Sequence, residues 1–299
     1  MNGKQKEKEV HGKLTFKVLQ DNLLDFTEGN ATRFKYGDNN TFYGFAFTKK
    51  RNKDPLITVT AYDQLVYFKK NKDTYVYKNK TADEVVRMLG NDFMLNIGTL
   101  EQTGYKIASR VESNKTLIDI AQTAIDLTIQ NRNEMYVLHD DFGKLCLKNI
   151  ERMKVGIVID EETGENFDYS SSIDNDTYNQ IKLTYDNKKT GKREVYIAKD
   201  TAHINEWGVL QHYDTIDENT NGQAKADALL KLYNQKTRKL EIKNAIGDIR
   251  VRGGSLVIVK MNLGDVKLQN FMLVEKAKHT LKNNEHLMNL TLRGGEFIA

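Results

Sequence analysis

Few residues in this chain have the types and spacing to do chemistry. His139 stands beside Asp140 and Asp141, and an imidazole next to carboxylates can pass a proton as an acid/base pair. The group falls, however, in a short segment closed by Phe142-Gly143 between two apolar runs, where polar residues collect to serve the backbone of a turn. His203, Glu206 and His212 are metal-ligating types, but they do not follow the His-Glu-x-x-His pattern that sets two imidazoles on one helical face. Asp174-Asn175-Asp176 opens like a calcium loop without the glycine and closing glutamate at the required offsets. Gly191-Lys192 lacks the upstream glycine of a phosphate-cradling loop. Cys146, between Leu145 and Leu147, reads as a half-buried strand residue rather than a nucleophile. The pairs Gly253-Gly254 and Gly294-Gly295 suit turns or bulges. No nucleophile, base and oxyanion donor come together. The sequence assigns no catalytic, cofactor-binding or metal residue, and the expectation is a structural part rather than an enzyme.

The elements that carry these residues are mostly strands. Leu14 to Leu19 alternates with period two, and Val59 to Phe68 and Thr74 to Tyr77 are predicted to continue the β pattern. At Thr81 the period changes: Thr81-Ala82-Asp83-Glu84 is a capping box, and Ala82, Val85, Val86 and Leu89 share one helical face. A second helix is predicted from Thr116 to Gln130, with Leu117, Ile120, Ala121 and Ala124 as its stripe. Met135–Leu138 and Lys144–Leu147 flank the His139 segment as a hairpin. A further hairpin joins Gln180–Tyr185 to Glu194–Ala198 across the polar turn Asn187 to Lys192. A third helix spans about Gln223 to Tyr233, and strands follow from Leu240.

Two distant stretches follow one plan. Asn30 to Gly37 leads to the strand Phe42–Phe47, a polar turn from Lys49 to Asp54, and the strand Leu56–Ala61. Gly247 to Gly253 opens a similar series, running on to Phe271–Val274, a polar turn at Lys282 to Glu285, and Leu287–Leu292. Each reads as a charged strand, a glycine, a strand, a polar turn and a strand. A chain with two like β domains places six similar units in a ring when three copies assemble. The fold class is therefore α+β and predominantly β: two related β-barrel-like domains with a small α/β module between them. The expected domains are 1–78, 79–155 and 156–299, the last β-rich with one helix, with the acidic, serine-containing segment Asp160 to Thr177 as a boundary.

Composition narrows the class further. The 299 residues suffice for two or three cores, and a hydrophobic share of 39% describes a polar chain with a large surface. No apolar stretch approaches the roughly 20 residues of a membrane span, and the charged run Met1 to Gly12 is no secretory signal, so no membrane anchor is expected. A single cysteine excludes an internal disulfide, as suits a reducing cytoplasm. Interspersed charges summing to +4 give no clustered nucleic-acid footprint. One proline argues against long proline-rich linkers. Trp207, the only tryptophan, leaves a carbohydrate-binding module without aromatic platforms.

Beyond these readings, Thr58-Val59-Thr60-Ala61-Tyr62-Asp63-Gln64-Leu65 followed by Asn71 to Tyr77 resembles the N-terminal signature of baseplate hub proteins in contractile phage tails and phage-tail-like bacteriocins. Asn114 to Leu117, Asp140 to Leu145, Ser171 to Asp174, Ala224 to Leu230, then Gly247-Asp248 and Arg250 recur in that order, from about Lys13 to Phe297. The last block is also similar to the late-control protein group. Such hubs often carry additional residues before the first strand, where this chain has its charged run. The resemblance implies a homotrimeric ring in the tail baseplate, made in the bacterial cytoplasm, joining a sixfold tail tube to a threefold central spike. It also implies tube, spike, and wedge or LysM-type tail proteins as partners. The rival reading is a tail-associated cell-wall hydrolase of the peptidase type, which would need a cysteine–histidine pair or a zinc ligand set.

Overall fold

The computed structural model describes residues 11–19, 27–53, 55–132, 134–174, 177–187, 190–216, 221–262 and 267–294. The chain forms two compact units, Met1–Met153 and Lys154–Ala299.

The first unit runs β1 (Lys13–Leu19), β2 (Ala31–Tyr36), β3 (Asn39–Lys50), β4 (Leu56–Tyr62), α1 (Leu65–Lys70), β5 (Lys72–Lys80), α2 (Ala82–Asp92), β6 (Ile97–Leu100), β7 (Ile107–Thr116), α3 (Leu117–Arg132), β8 (Tyr136–Asp140) and β9 (Leu145–Asn149). Its leading sheet has the order β1-β4-β3-β2, all antiparallel. β5 and β7 form a two-stranded ribbon, and β6-β9-β8 a small mixed sheet. The apolar stripes of α2 and α3 meet one another and the small sheet, burying Val85, Leu89, Leu117, Ile120, Leu145 and Leu147 almost completely.

The strand expected to run to Phe68 stops at Tyr62, and Leu65–Lys70 is helix α1. The cause is Asp63. Its carboxylate accepts from the Leu65 amide at 3.0 Å and from the Gly12 amide at 2.6 Å, satisfying a helix-start donor while tying down the chain ahead of β1. Leu65, Val66 and Phe68 then turn inward at helical spacing. Gln64 adds a second clamp, its side-chain amide donating to the Asn96 carbonyl (3.0 Å) and accepting from the Asn96 amide (3.1 Å).

The second unit runs β10 (Lys154–Asp160), β11 (Asn166–Ser172), β12 (Gln180–Asn187), β13 (Lys192–Lys199), α4 (Thr201–Trp207), β14 (Gln211–Thr215), α5 (Gly222–Tyr233), β15 (Thr237–Ile246), β16 (Leu256–Asn262), β17 (Lys267–Lys282) and β18 (Glu285–Arg293). One six-stranded sheet has the order β10-β16-β17-β18-β15-β11. A three-stranded sheet, β13-β12-β14, packs Ile181, Leu183 and Ala198 on Ala226 and Leu229 of α5.

Two expectations need correcting here. The C-terminal part holds α4 as well as the helix foreseen near Gln223. Its seven residues bury no side chain, so no apolar stripe advertised it; the Asp200 carboxylate starts it by accepting from the His203 amide. Likewise, Gly247 to Gly253 is not a strand. Asp248 accepts from the Arg250 amide at 2.9 Å and the Val251 amide donates to the Asp248 carbonyl at 3.1 Å, closing a turn. The strand that belongs at this point of the plan is β16.

Candidate functional site

The residues singled out for chemistry are dispersed. His139 lies on β8, its Nδ1 3.4 Å from the Val137 carbonyl. Asp140 is buried and its carboxylate accepts from the Gly143 amide at 2.7 Å, closing the hairpin turn. In the β8–β9 register His139 stands directly opposite Cys146, a neighbourhood that linear spacing did not reveal. Cys146 is more enclosed than expected: it is 8% exposed, and its Sγ rests on the Gly98 backbone, where a Cβ would come within 2.6 Å.

His203, Glu206 and His212 each have separate work. His203 stacks on Trp207 at 3.9 Å and its Nδ1 bonds Asn234 Oδ1 at 2.7 Å. Glu206 faces the Lys236 ammonium at 3.7 Å. His212 packs against the Tyr178 and Tyr233 rings, which also contact each other, and burial pushes its pKa below the ordinary histidine value. Among the described residues no three His, Cys, Asp or Glu side chains converge to hold a metal. Trp207 takes the His203 ring and the Lys236 ammonium against its own ring, which leaves it poorly placed as a sugar platform. Gly191 sits in the β12–β13 turn, its amide donating to the Asn187 carbonyl at 2.9 Å. Asp174 bonds Ser172 Oγ at 3.0 Å; Asn175, Asp176, Gly295 and residues 1–10 of the charged N-terminal run lie outside the described residues.

An open cleft of 520 Å³ in the first unit is lined by Glu101, Gln102, Glu134, Tyr136, Asn149 and Arg152. Its carboxylates are already engaged. The Tyr136 hydroxyl donates to Glu134 at 2.7 Å and Arg132 donates at 3.0 Å, which together hold Glu134 below the usual carboxylate range. Glu101 accepts from the Asn149 amide at 3.0 Å and faces Arg152 at 3.3 Å. Glu134, held charged this way, is a poor proton shuttle at neutral pH.

The feature that does emerge is a duplicated sheet. In unit one a strand, β1, is followed by the meander β2-β3-β4 and pairs with its last strand; in unit two β15 and the meander β16-β17-β18 do the same. The registers coincide over part of each sheet as well. Lys13 pairs with Tyr62 and Leu14 with Ala61, as Lys239 pairs with Arg293 and Leu240 with Leu292. Ala31 pairs with Phe45, as Leu256 pairs with Leu273. A β-bulge falls between Ala46 and Thr48 opposite Ala61 and Thr60, and another between Val274 and Lys276 opposite Leu292 and Thr291. The turns entering the two meanders match bond for bond. Gly29 donates to the Ala46 carbonyl at 2.7 Å and Gly254 to the Val274 carbonyl at 2.8 Å, with φ of 93° and 89°. Ala46 in turn donates to Asn30 at 2.9 Å, and Val274 to Ser255 at 2.8 Å.

The copies differ in two further bulges, one between Phe34 and Lys35 in β2–β3 and one between Ile242 and Ala245 in β15–β18, and at their edges. β11 covers β15 and β10 lies parallel to β16, so Leu240 and Ile242 are fully buried. The counterparts Leu14 and Phe16 are half-buried, and among the described residues no strand pairs beyond β1 or β2.

Comparison with known proteins agrees with this architecture. The chain is 31% identical over 293 residues to protein YqbQ of Bacillus subtilis strain 168, covering 96% of this chain and 87% of that one. It is 30% identical, over 96% of its length and 88% of the relative's, to the phage-like element PBSX protein XkdQ of the same organism. A tail protein of Neisseria meningitidis MC58 has the same fold at 12% identity (TM-score 0.68, covering 97% of this chain and 90% of that one). The 43 kDa tail protein of prophage MuSo2 from Shewanella oneidensis matches at 13% identity (TM-score 0.64, 94% and 88%). The model of the YQBQ-like family matches residues 2–293, and the chain belongs to that family.

Proposed function

We propose that this protein is a structural baseplate hub of a contractile phage tail or tail-like particle. Three copies form a ring that joins a sixfold tail tube to a threefold central spike. The observation that carries this reading is the duplicated sheet, with its common strand order, one matched bulge and matched glycine turns. Two equivalent sheets in each of three chains present six like surfaces to a hexameric tube ring, while the ring as a whole keeps the threefold symmetry of a spike. The open edges of β1 and β2 fit the same reading, since unpaired edge strands are a liability unless assembly covers them. The tube, the spike, and wedge or LysM-type tail proteins are the partners, and the finished protein resides in the tail baseplate. The fold shared with solved tail proteins supports this placement, as does similarity to a type VI secretion component described as resembling T4 tail proteins gp27 and gp5 (TM-score 0.55, 9% identity, covering 95% of this chain and 70% of that one). Light scattering across a concentration series, followed by imaging of assembled particles, tests the stoichiometry. Three copies per particle are expected; one or two copies in the assembled tail would refute the ring.

The hydrolase reading draws on one observation, His139 opposite Cys146 across the β8–β9 hairpin. Burial of the thiol against Gly98 weighs against it, because a nucleophile must reach its substrate.

A further inference from the structure

The second copy of the sheet carries an extension for which the first gives no precedent. Past its bulge, β17 continues to Lys282 and returns through Asn283-Asn284, both at positive φ, into β18. On this extension His279 and His286 are diagonal neighbours on one face, and the connection from Gly247 to Ser255 packs over them. His279 Nε2 lies 2.8 Å from the Val251 carbonyl, so it must carry a hydrogen to donate there. His279 Nδ1 lies 2.9 Å from His286 Nε2; in the neutral ring that Nδ1 is a lone pair, and His286 must donate to it. The Gly247 amide donates to the His286 carbonyl at 2.8 Å, and Val251 is buried in the core. The connection is thus bonded to the His279 ring and to the His286 backbone, and it covers two imidazoles that share one defined proton arrangement.

We propose that the His279–His286 pair is an acid-sensitive latch. It holds the 247–255 connection on the β17–β18 hairpin while it carries no more than one added proton, and lets go when both rings are protonated.

The two steps follow from the geometry. A first proton on His286 Nδ1 leaves His286 Nε2–H donating to His279, so the chain of bonds survives. A second proton must take the lone pair of His279 Nδ1, the atom that accepts from His286; that bond is then lost and two imidazolium rings face each other with centroids 5.2 Å apart. His279 Nε2–H can still donate to Val251, so what drives opening is two like charges held under the connection, which water relieves once the connection lifts. Of the surrounding charges, Asp248 in the connection favours a cation at His286, but it is already bound to the Arg250 guanidinium. Lys278, Lys282 and Glu285 alternate onto the opposite face of the hairpin, and β15 ends beside it with the uncharged Ala245 and Ile246. Arg252, in the connection, is a further cation and offers the pair no relief. Burial pushes both histidines below the ordinary value. The folded state therefore binds fewer protons than the open one, and the latch is fully closed above about pH 6.5 and weakens as pH falls below it.

Amide hydrogen exchange on the full chain tests this. Protection factors at Gly247, Val251 and Gly254 should fall between pH 7 and pH 5, approaching about tenfold per pH unit for each proton taken up on opening. The Ile242–Leu290 ladder of the same sheet should hold steady. In His279→Gln/His286→Gln, where amides replace the rings without titrating, the same three amides should show no such dependence. A pH-independent connection in the native chain, or an unchanged dependence in the double variant, overturns the latch. Should that variant fail to fold, ring-nitrogen NMR of the native chain decides: two separated titrations, with Nε2–H on both neutral rings, support the latch, and one shared titration refutes it.

Discussion

At the scale of the residue, buried polar groups hold backbone. Thr103 is the clearest case. Its hydroxyl accepts from the Ala82 amide at 3.1 Å and donates to Asp83 at 2.9 Å, while its own amide donates to the same carboxylate at 2.9 Å, all at 1% exposure. The outer side of the same helix start is served by Thr81 and Glu84, the capping box read from the sequence, with the Thr81 amide donating to Glu84 at 2.9 Å. Thr81→Ala should cost about 1 kcal/mol in chemical denaturation, the usual loss for an N-cap near solvent. Thr103→Val strands a buried donor and part of a buried carboxylate, so about 2–3 kcal/mol is expected. If the two variants melt together, the buried network is not what anchors α2. Neither the parent protein nor Cys146→Ala is expected to release peptidoglycan fragments; release by the parent that this change or chelation abolishes would restore the hydrolase.

At the scale of the element, the duplication makes a paired prediction. Gly29 and Gly254 occupy one position in two copies and share a left-handed backbone that side chains resist. Gly29→Ala and Gly254→Ala should each cost about 1–2 kcal/mol. Local exchange protection should drop at Ala46 in the first variant and at Val274 in the second, since those residues close the turns. Effects of opposite sign, or a cost at only one site, would mean that the bond-for-bond likeness has no energetic counterpart.

At the scale of the whole molecule, the prediction is the stoichiometry of the assembled ring. Obligate ring contacts commonly bury more than about 2,000 Å². Adding a proline to β1 at Thr15 would remove an amide from that strand. Ring formation should weaken if β1 is an assembly edge, while the second unit should keep its own exchange protection. Unimpaired ring formation by such a folded variant would place the contact elsewhere.

How much of this was legible beforehand depended on range. The capping box, the stripes of α2, α3 and α5, and the β12–β13 and β17–β18 hairpins were all readable, because each signal spans a few residues and obeys one period. The echo between the two halves was visible too, but one of its members was misplaced. Asp-Ile-Arg-Val-Arg alternates like a strand, and only the closing of an Asp248 turn with Val251 in the core made it a loop. Helix α1 hid in a β-like run because its six residues are too few to show a helical period against the β-branched and aromatic run before them. His139 opposite Cys146, and His279 against His286 beneath Val251, belong to no local pattern. The sequence by itself determined a polar, mostly β chain with repeated meanders. Tertiary structure alone decided the equal registers, the open and covered edges, and the histidine pair, because strand pairing joins residues whose separation along the chain carries no periodic signal.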